Sequence, residues 1–201
     1  MAKEEYRMKG FALIGAGISI ALFWLLVIPF ESFAGPDVPL HSLFVPGQVF
    51  HILGAILAVF GYIGIYSYQK ETAGNLGKFA FVLAVIGMMF FLADAMIGIL
   101  VFPELARHAP ELTSATGPLF TGRALGFYIM FAATNMIGIV LLGVSMLRTK
   151  MFPALAANLF IIGGIMFNLP PSPALHLILV SGGVIWGIGA ILLGRTLMSQ
   201  P

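Results

Sequence analysis

The chain contains no cysteine in 201 residues, which excludes disulfides, thiolate metal sites, iron–sulfur clusters and thiol catalysis. Charge is nearly as scarce. Charged residues are 9% of the sequence against 60% hydrophobic, whereas a soluble domain carries about 25% charged residues. With a mean hydropathy of +1.03, the chain has too little polar surface to face water and belongs in lipid. Signature motifs are missing too. The sequence has no Gly-x-x-x-x-Gly-Lys-Ser/Thr phosphate loop, no Gly-x-Ser-x-Gly elbow and no His-Glu-x-x-His, and no lysine lies inside an apolar run where a retinal Schiff base would form. Ser181-Gly182-Gly183 offers a membrane serine, but the sequence supplies it no base.

What remains is a series of long apolar runs. Crossing about 30 Å of hydrocarbon takes roughly 20 helical residues. Six stretches meet or approach that length: Gly10 to Phe30, Gln48 to Tyr68, Lys78 to Phe102, Ala124 to Leu147, Phe152 to Leu169 and Ala174 to Arg195. Their apolar residues are continuous, not alternating, so the reading is helices and not a barrel. The expectation is a single all-α integral membrane domain over residues 1–201, with six transmembrane helices arranged as three hairpins. The first run is too long for a signal-peptide core and leads into Phe30-Glu31-Ser32-Phe33 without a small-residue cleavage pattern, so it is expected to stay attached.

Charge placement orients the bundle. Eight of the ten basic residues (Lys3, Arg7, Lys9, Lys70, Lys78, Arg148, Lys150 and Arg195) fall on one side of the expected bundle. By the positive-inside rule that side is cytoplasmic, giving a multi-pass protein of the cell membrane with both termini inside. The opposite loops carry Glu31, Asp37, Glu104 and Glu111 against Arg107 and Arg123. Such a basic excess sets orientation and implies no nucleic-acid partner. The expected partners are the lipid bilayer and other membrane subunits or further copies of the chain.

Taken in order, residues Met1 to Lys9 read as a polar interfacial arm, and Gly10, Gly15, Gly17 and Ser19 as a surface a neighbouring helix approaches closely. Residues Glu31 to Gly47, with Pro36, Pro39 and Pro46, read as a turn-rich outer cap, and Gln69 to Gly77 as a short inner loop. Pro103 to Arg123 is the longest outer loop, and Asn168 to Pro173 a tight turn. Each outward run meets a proline, at Pro29, Pro103 and Pro170. In the returning runs His51 precedes Gly61 by ten residues, His176 precedes Gly187 by eleven and Phe127 precedes Gly138 by eleven. This spacing suggests a repeat with a site between its units.

His51 and His176 are the leading site candidates, each near the outer end of its helix. Two facing imidazoles are what six-coordinate haem b iron requires, and Gly54, Gly182 and Gly183 could make room for a porphyrin. The two segments that carry them, FHILGAILAVFGYIGIYSY and ALHLILVSGGVIWGIGAIL, resemble the histidine-bearing helices of subunit I of haem-copper oxidases. The resemblance covers about forty residues in two pieces. It implies haem ligation by His51 and His176. The sequence has no His-x-His or His-His pair, so it does not imply the copper centre of that family. The plain alternative is a histidine hydrogen-bonded near the interface.

A second candidate is polar. Asp94 lies about two turns inside its helix and costs several kcal/mol unless neutral, paired or wet. With Asn135, Thr134 and Arg123 it suggests a proton relay or a small-solute site, the plain alternative being an Asp94–Asn135 bond that pins two helices together. Met88, Met89, Met96, Met130, Met136 and Met166 form no spaced run beside a histidine, so they read as core filling more than as Cu(I) ligands. Three functions follow: a haem-binding electron-transfer or accessory subunit of a membrane redox complex, a channel or transporter using Asp94 and Asn135, and a purely structural subunit. The first ranks highest on sequence, and an enzyme acting alone ranks low.

Overall fold

A computed structural model describes residues 2–26, 37–114, 117–170 and 173–200. Six α-helices account for most of them: α1 Ala2–Leu26, α2 Phe44–Leu100, α3 Phe102–His108, α4 Gly122–Thr149, α5 Ala154–Phe167 and α6 His176–Met198. Single 3-10 turns lie at Val38–Leu40, Pro110–Leu112, Pro118–Phe120 and Pro173–Leu175, and no strand occurs among the described residues. Four helical stretches are long and apolar enough to cross a membrane: Glu4–Leu26, Phe44–His108, Gly122–Thr149 and His176–Met198.

Several boundaries differ from expectation, each for a local reason. The polar arm is not separate, because α1 begins at Ala2 and Glu5 and Lys9 pair one turn apart on it. The outer end of the first run, with Pro29 and Phe30, lies outside the described residues.

The expected loop from Gln69 to Gly77 is helix, so two of the expected runs share α2. Gln-Lys-Glu-Thr-Ala is good helix-forming sequence, and one residue leaves helical geometry: Gly74, at φ 57° and ψ −152°. That combination is essentially restricted to glycine. It divides α2 into a first arm, 44–73, and a second, 75–100, which lie side by side. The Tyr66 and Phe81 rings stack at 4.7 Å, the His51 and Phe91 rings approach to 3.9 Å, and the Gln48 carboxamide carbon sits 2.9 Å from where a Cβ on Gly98 would be.

The long loop expected from Pro103 to Arg123 is also more regular than expected, since residues 102–108 form α3, which packs on the turn at Val38–Leu40. Helix α5 has 14 residues, about 21 Å, bounded by Pro153 and Pro170, which cannot continue a helix. Lys150, at φ 56°, closes α4 in the left-handed conformation and donates its N–H to the Met146 carbonyl at 3.1 Å.

The helices close into a ring. α1 packs on α2 and α6, α2 on α4, α4 on α5, and α5 on α6. Small residues set the spacing. A Cβ on Gly17 would sit 2.5 Å from the Gly187 carbonyl oxygen, and one on Gly187 would sit 2.5 Å from the Gly17 carbonyl oxygen. On the other side of α1, Gly54 is covered by Ile20 and Gly61 by Leu13, while Gly138 on α4 seats Ala84 of the second arm. The three glycines of the spaced repeat therefore each receive a neighbouring helix. Aromatic rings fill the centre: Phe167 touches Trp24, Phe91 and Trp186, and Phe160 touches Tyr62 and Trp186.

Candidate functional site

The first arm of α2 places polar residues on one buried face. Gln48, His51, Ala55, Ala58, Tyr62, Ile65 and Gln69 follow in steps of three and four, the spacing that keeps side chains on one side of a helix. From His51 onward each is at most 2% exposed. An apolar chain that places a histidine, a tyrosine and a glutamine there bears a desolvation cost wherever their polar atoms lack partners. Among the atoms without a hydrogen-bond partner are His51 Nε2, Tyr62 Oη, Gln69 Nε2 and, on facing helices, Ser145 Oγ and Trp186 Nε1.

Toward the Phe44 end of this arm, the His51 ring stacks on Phe23 of α1 at 4.3 Å and meets the edge of Phe91 at 3.9 Å. Its Nδ1 lies 3.3 Å from Gln48 Oε1. A carboxamide oxygen only accepts, so Nδ1 donates and Nε2 keeps a lone pair. Asp94 is half-buried on the second arm and within electrostatic range of the half-buried Tyr128 of α4. Gln48 faces Gly98 across the two arms. Counting one turn along each antiparallel arm brings Asp94 level with His51.

The remaining sequence candidates fall elsewhere. Asn135, 1% exposed, does not pin α4 to the second arm through Asp94. Its Nδ2 donates to Asn168 Oδ1 at 3.2 Å, and Asn168 Nδ2 donates to the Gly164 carbonyl at 2.7 Å, tying α4 to α5. Asn135 is seven residues along α4 from Tyr128, about 10 Å. Thr134 turns back on its own helix, donating to the Met130 carbonyl at 2.8 Å, and Arg123 is exposed at the start of α4. The four-residue polar group expected from sequence is thus dispersed, with Asp94 beside Tyr128 of α4 and Asn135 in a separate pair.

His176 is the first residue of α6 and is 6% exposed, whereas His51 is two turns inside α2. Measured along α1, His51 is level with Phe23 and Gly183 with Trp24. His176, seven residues before Gly183, is thereby displaced about 10 Å along the bundle axis from His51. The glycine surfaces read as room for a porphyrin are occupied: Ile20 lies against Gly54, Met166 and Phe167 against Gly182, and the Trp24 indole against Gly183. A tetrapyrrole fits His51 as a single ligand only if these side chains move. No cluster of three His, Asp or Glu side chains suited to a metal occurs among the described residues. The methionines are scattered, Met88 in the core and Met89, Met96 and Met130 exposed.

Sequence reasoning passed over Gln48, Tyr62, Gln69, Ser145 and Asn168. For the three on α2, the readable signal was their register with His51. At the Gly74 end of that face, Thr149 Oγ1 donates to Gln69 Oε1 at 3.3 Å. One turn earlier on α4, Ser145 Oγ lies 3.1 Å from where a Cβ on Gly77 would be. Among known proteins, no family model, no curated protein and no solved structure matches the chain.

Proposed function

We propose that the chain is a six-crossing membrane protein that conducts an ion or small solute through its helix ring, with His51, Gln48, Asp94 and Tyr128 forming the polar site at the outer end. The observation that carries this reading is the buried His51 Nε2, which has no partner while Gln48 and two phenyl rings hold the imidazole in place. Burying such a nitrogen without a partner costs stability, and an intramembrane ionisable group such as Asp94 on the neighbouring arm marks a transport path. Proteoliposomes test the site. Flux is expected in the parent protein and lost in both His51→Ala and Asp94→Asn, and full flux in both variants would sink the reading.

Six crossings follow from treating the two arms of α2 as separate spans and α5 as a short one. Supporting a cytoplasmic face for both termini, Lys9 packs against Gly64 and Met198 against Gly10, so the basic ends of α1, α2 and α6 gather together. The cysteine-free chain makes this direct to check. A thiol reagent applied outside intact cells is expected to label Glu104→Cys and to spare Lys150→Cys.

A tetrapyrrole-holding redox subunit is the second reading, favoured by one feature: Nδ1 bonded to Gln48 leaves Nε2 as a free ligand nitrogen, the usual second-shell arrangement of a ligating histidine. A Soret band in purified protein, lost in His51→Ala, would select it. Exposed side chains such as Phe11, Phe60, Phe79, Leu155 and Leu177 give the ring an apolar exterior for lipid, further copies or other subunits.

A further inference from the structure

We propose that the Ser199 end of α6 binds a diacyl phospholipid with a net negative headgroup, the Arg195 guanidinium holding the phosphate while one acyl chain lies on each side of the helix. This site stands apart from the conduction reading. Two grooves open on the apolar exterior there. One, about 360 Å³, runs between α6 and the start of α5 and is lined by Pro153, Leu155, Leu192 and Thr196. The other, about 470 Å³, runs between α6 and α1 and is lined by Ile14, Ile191 and Met198. Arg195 and Ser199 line both, so they form the ridge that divides them. Helical register explains the division. Arg195 and Ser199 are one turn apart on one face, with Leu192 and Thr196 turned toward α5 and Ile191 and Met198 toward α1.

The polar part of this site is a cation without a counterion. Arg195 is exposed and makes no ion pair with any described residue. Of the acids at this end of the bundle, Glu5 is paired with Lys9 and Glu71 with Lys70, and neither turns to Arg195. The hydroxyls beside it are engaged: Thr196 Oγ1 donates to the Leu192 carbonyl at 3.0 Å and Ser199 Oγ to the Thr196 carbonyl at 2.8 Å. Each can still accept but has no proton left to offer. The guanidinium, whose fork of N–H donors matches two phosphate oxygens, is therefore the group that holds an anion. Arg7, also exposed, lies two turns from Ile14 on the same stripe of α1 and puts a second cation beyond that end of the α1 groove.

The grooves favour a lipid over a free anion. Phosphate alone would touch Arg195 and nothing apolar. A lipid engages both parts, its glycerol across the ridge and its chains running past Leu155 and Ile14 along the exterior, where Ile188 of α6 and Ile18 of α1 are 46% and 47% exposed. Chains already surrounded by other chains gain little from burial alone. Selection among lipids must come from the headgroup charge, as it does in basic pockets between membrane helices.

The test uses the full chain, stripped of lipid in detergent and then mixed with phosphatidylglycerol or phosphatidylcholine for native mass spectrometry. A single phosphatidylglycerol is expected to stay bound and to raise the unfolding temperature, and phosphatidylcholine to do neither. Arg195→Gln is expected to weaken retention about tenfold, as loss of one charge-assisted contact implies, with the lipid-free unfolding temperature unchanged because the side chain is exposed. Arg148→Gln, which removes an exposed arginine near the end of α4, is expected to retain the lipid as the parent does. Equal retention of the two lipids, or full retention by Arg195→Gln, overturns the site. An equal loss in Arg148→Gln would show general attraction to a basic face and overturns it as well. Displacement of the lipid by an equal concentration of glycerophosphoglycerol, the headgroup without chains, overturns the seating in the two grooves.

Discussion

Two buried surfaces of this bundle are built on opposite principles. Where α1 meets α6, glycine lies against glycine: Gly17 and Gly187 face each other's carbonyl oxygens, Gly10 meets Gly194, and the Trp24 indole lies on Gly183. Close backbone approach there gives dispersion contacts that lipid cannot match. The buried face of the first arm of α2 instead carries His51, Tyr62 and Gln69, with polar atoms that the fold leaves without partners. Such atoms cost stability where they sit. The first surface holds the molecule together, and the second costs it stability.

That contrast predicts a gradient of stability effects. Gly17→Val should cost the most, about 3 kcal/mol, because its branched side chain would meet the Gly187 carbonyl and force the two backbones apart; unfolding in mixed detergent measures it. Gly74→Ala should cost about 2 kcal/mol, since φ 57° with ψ −152° strains any residue that has a Cβ. Nothing lies within 4 Å of the added carbon, so the loss comes from the backbone alone and should not be relieved by trimming neighbours. Asn168→Ala should cost about 1 kcal/mol by removing the bond from Asn135, typical of polar links between membrane helices. Tyr62→Phe should lie within about 0.5 kcal/mol of the parent or be slightly more stable, because the hydroxyl it removes has no partner. A large loss there would erase the distinction between the two surfaces.

The all-helical membrane class was legible in the sequence because continuous apolar runs admit little else. The small-residue surface of α1 was legible too, since Gly10 and Gly17 meet α6 as that pattern implies. The fold-back of α2 at a single residue was not. Helix propensity favours Gln69 to Ala73, and only the φ and ψ of Gly74 show where the chain leaves the helix. The arrangement of the candidate residues was only half legible. A histidine and an aspartate in apolar sequence announce themselves, but which helix Asn135 bonds depends on the order of helices around the ring. The partner turned out to be Asn168, in a turn read only as a connection. Tyr62 and Gln69 were overlooked because tyrosine and glutamine near apolar runs are common at membrane interfaces, and only the shared register with His51 marks them as interior.

The ring closure of α6 on α1 also bears on how the molecule is made. α1 leaves the ribosome well over a hundred residues ahead of α6, so its glycine stripe must wait against lipid or a chaperone while the intervening helices insert. The tightest seam of the finished protein is therefore the last to form. A chain stalled or cut before residue 176 would display that unclaimed stripe, giving membrane quality control a ready way to recognise an unfinished copy.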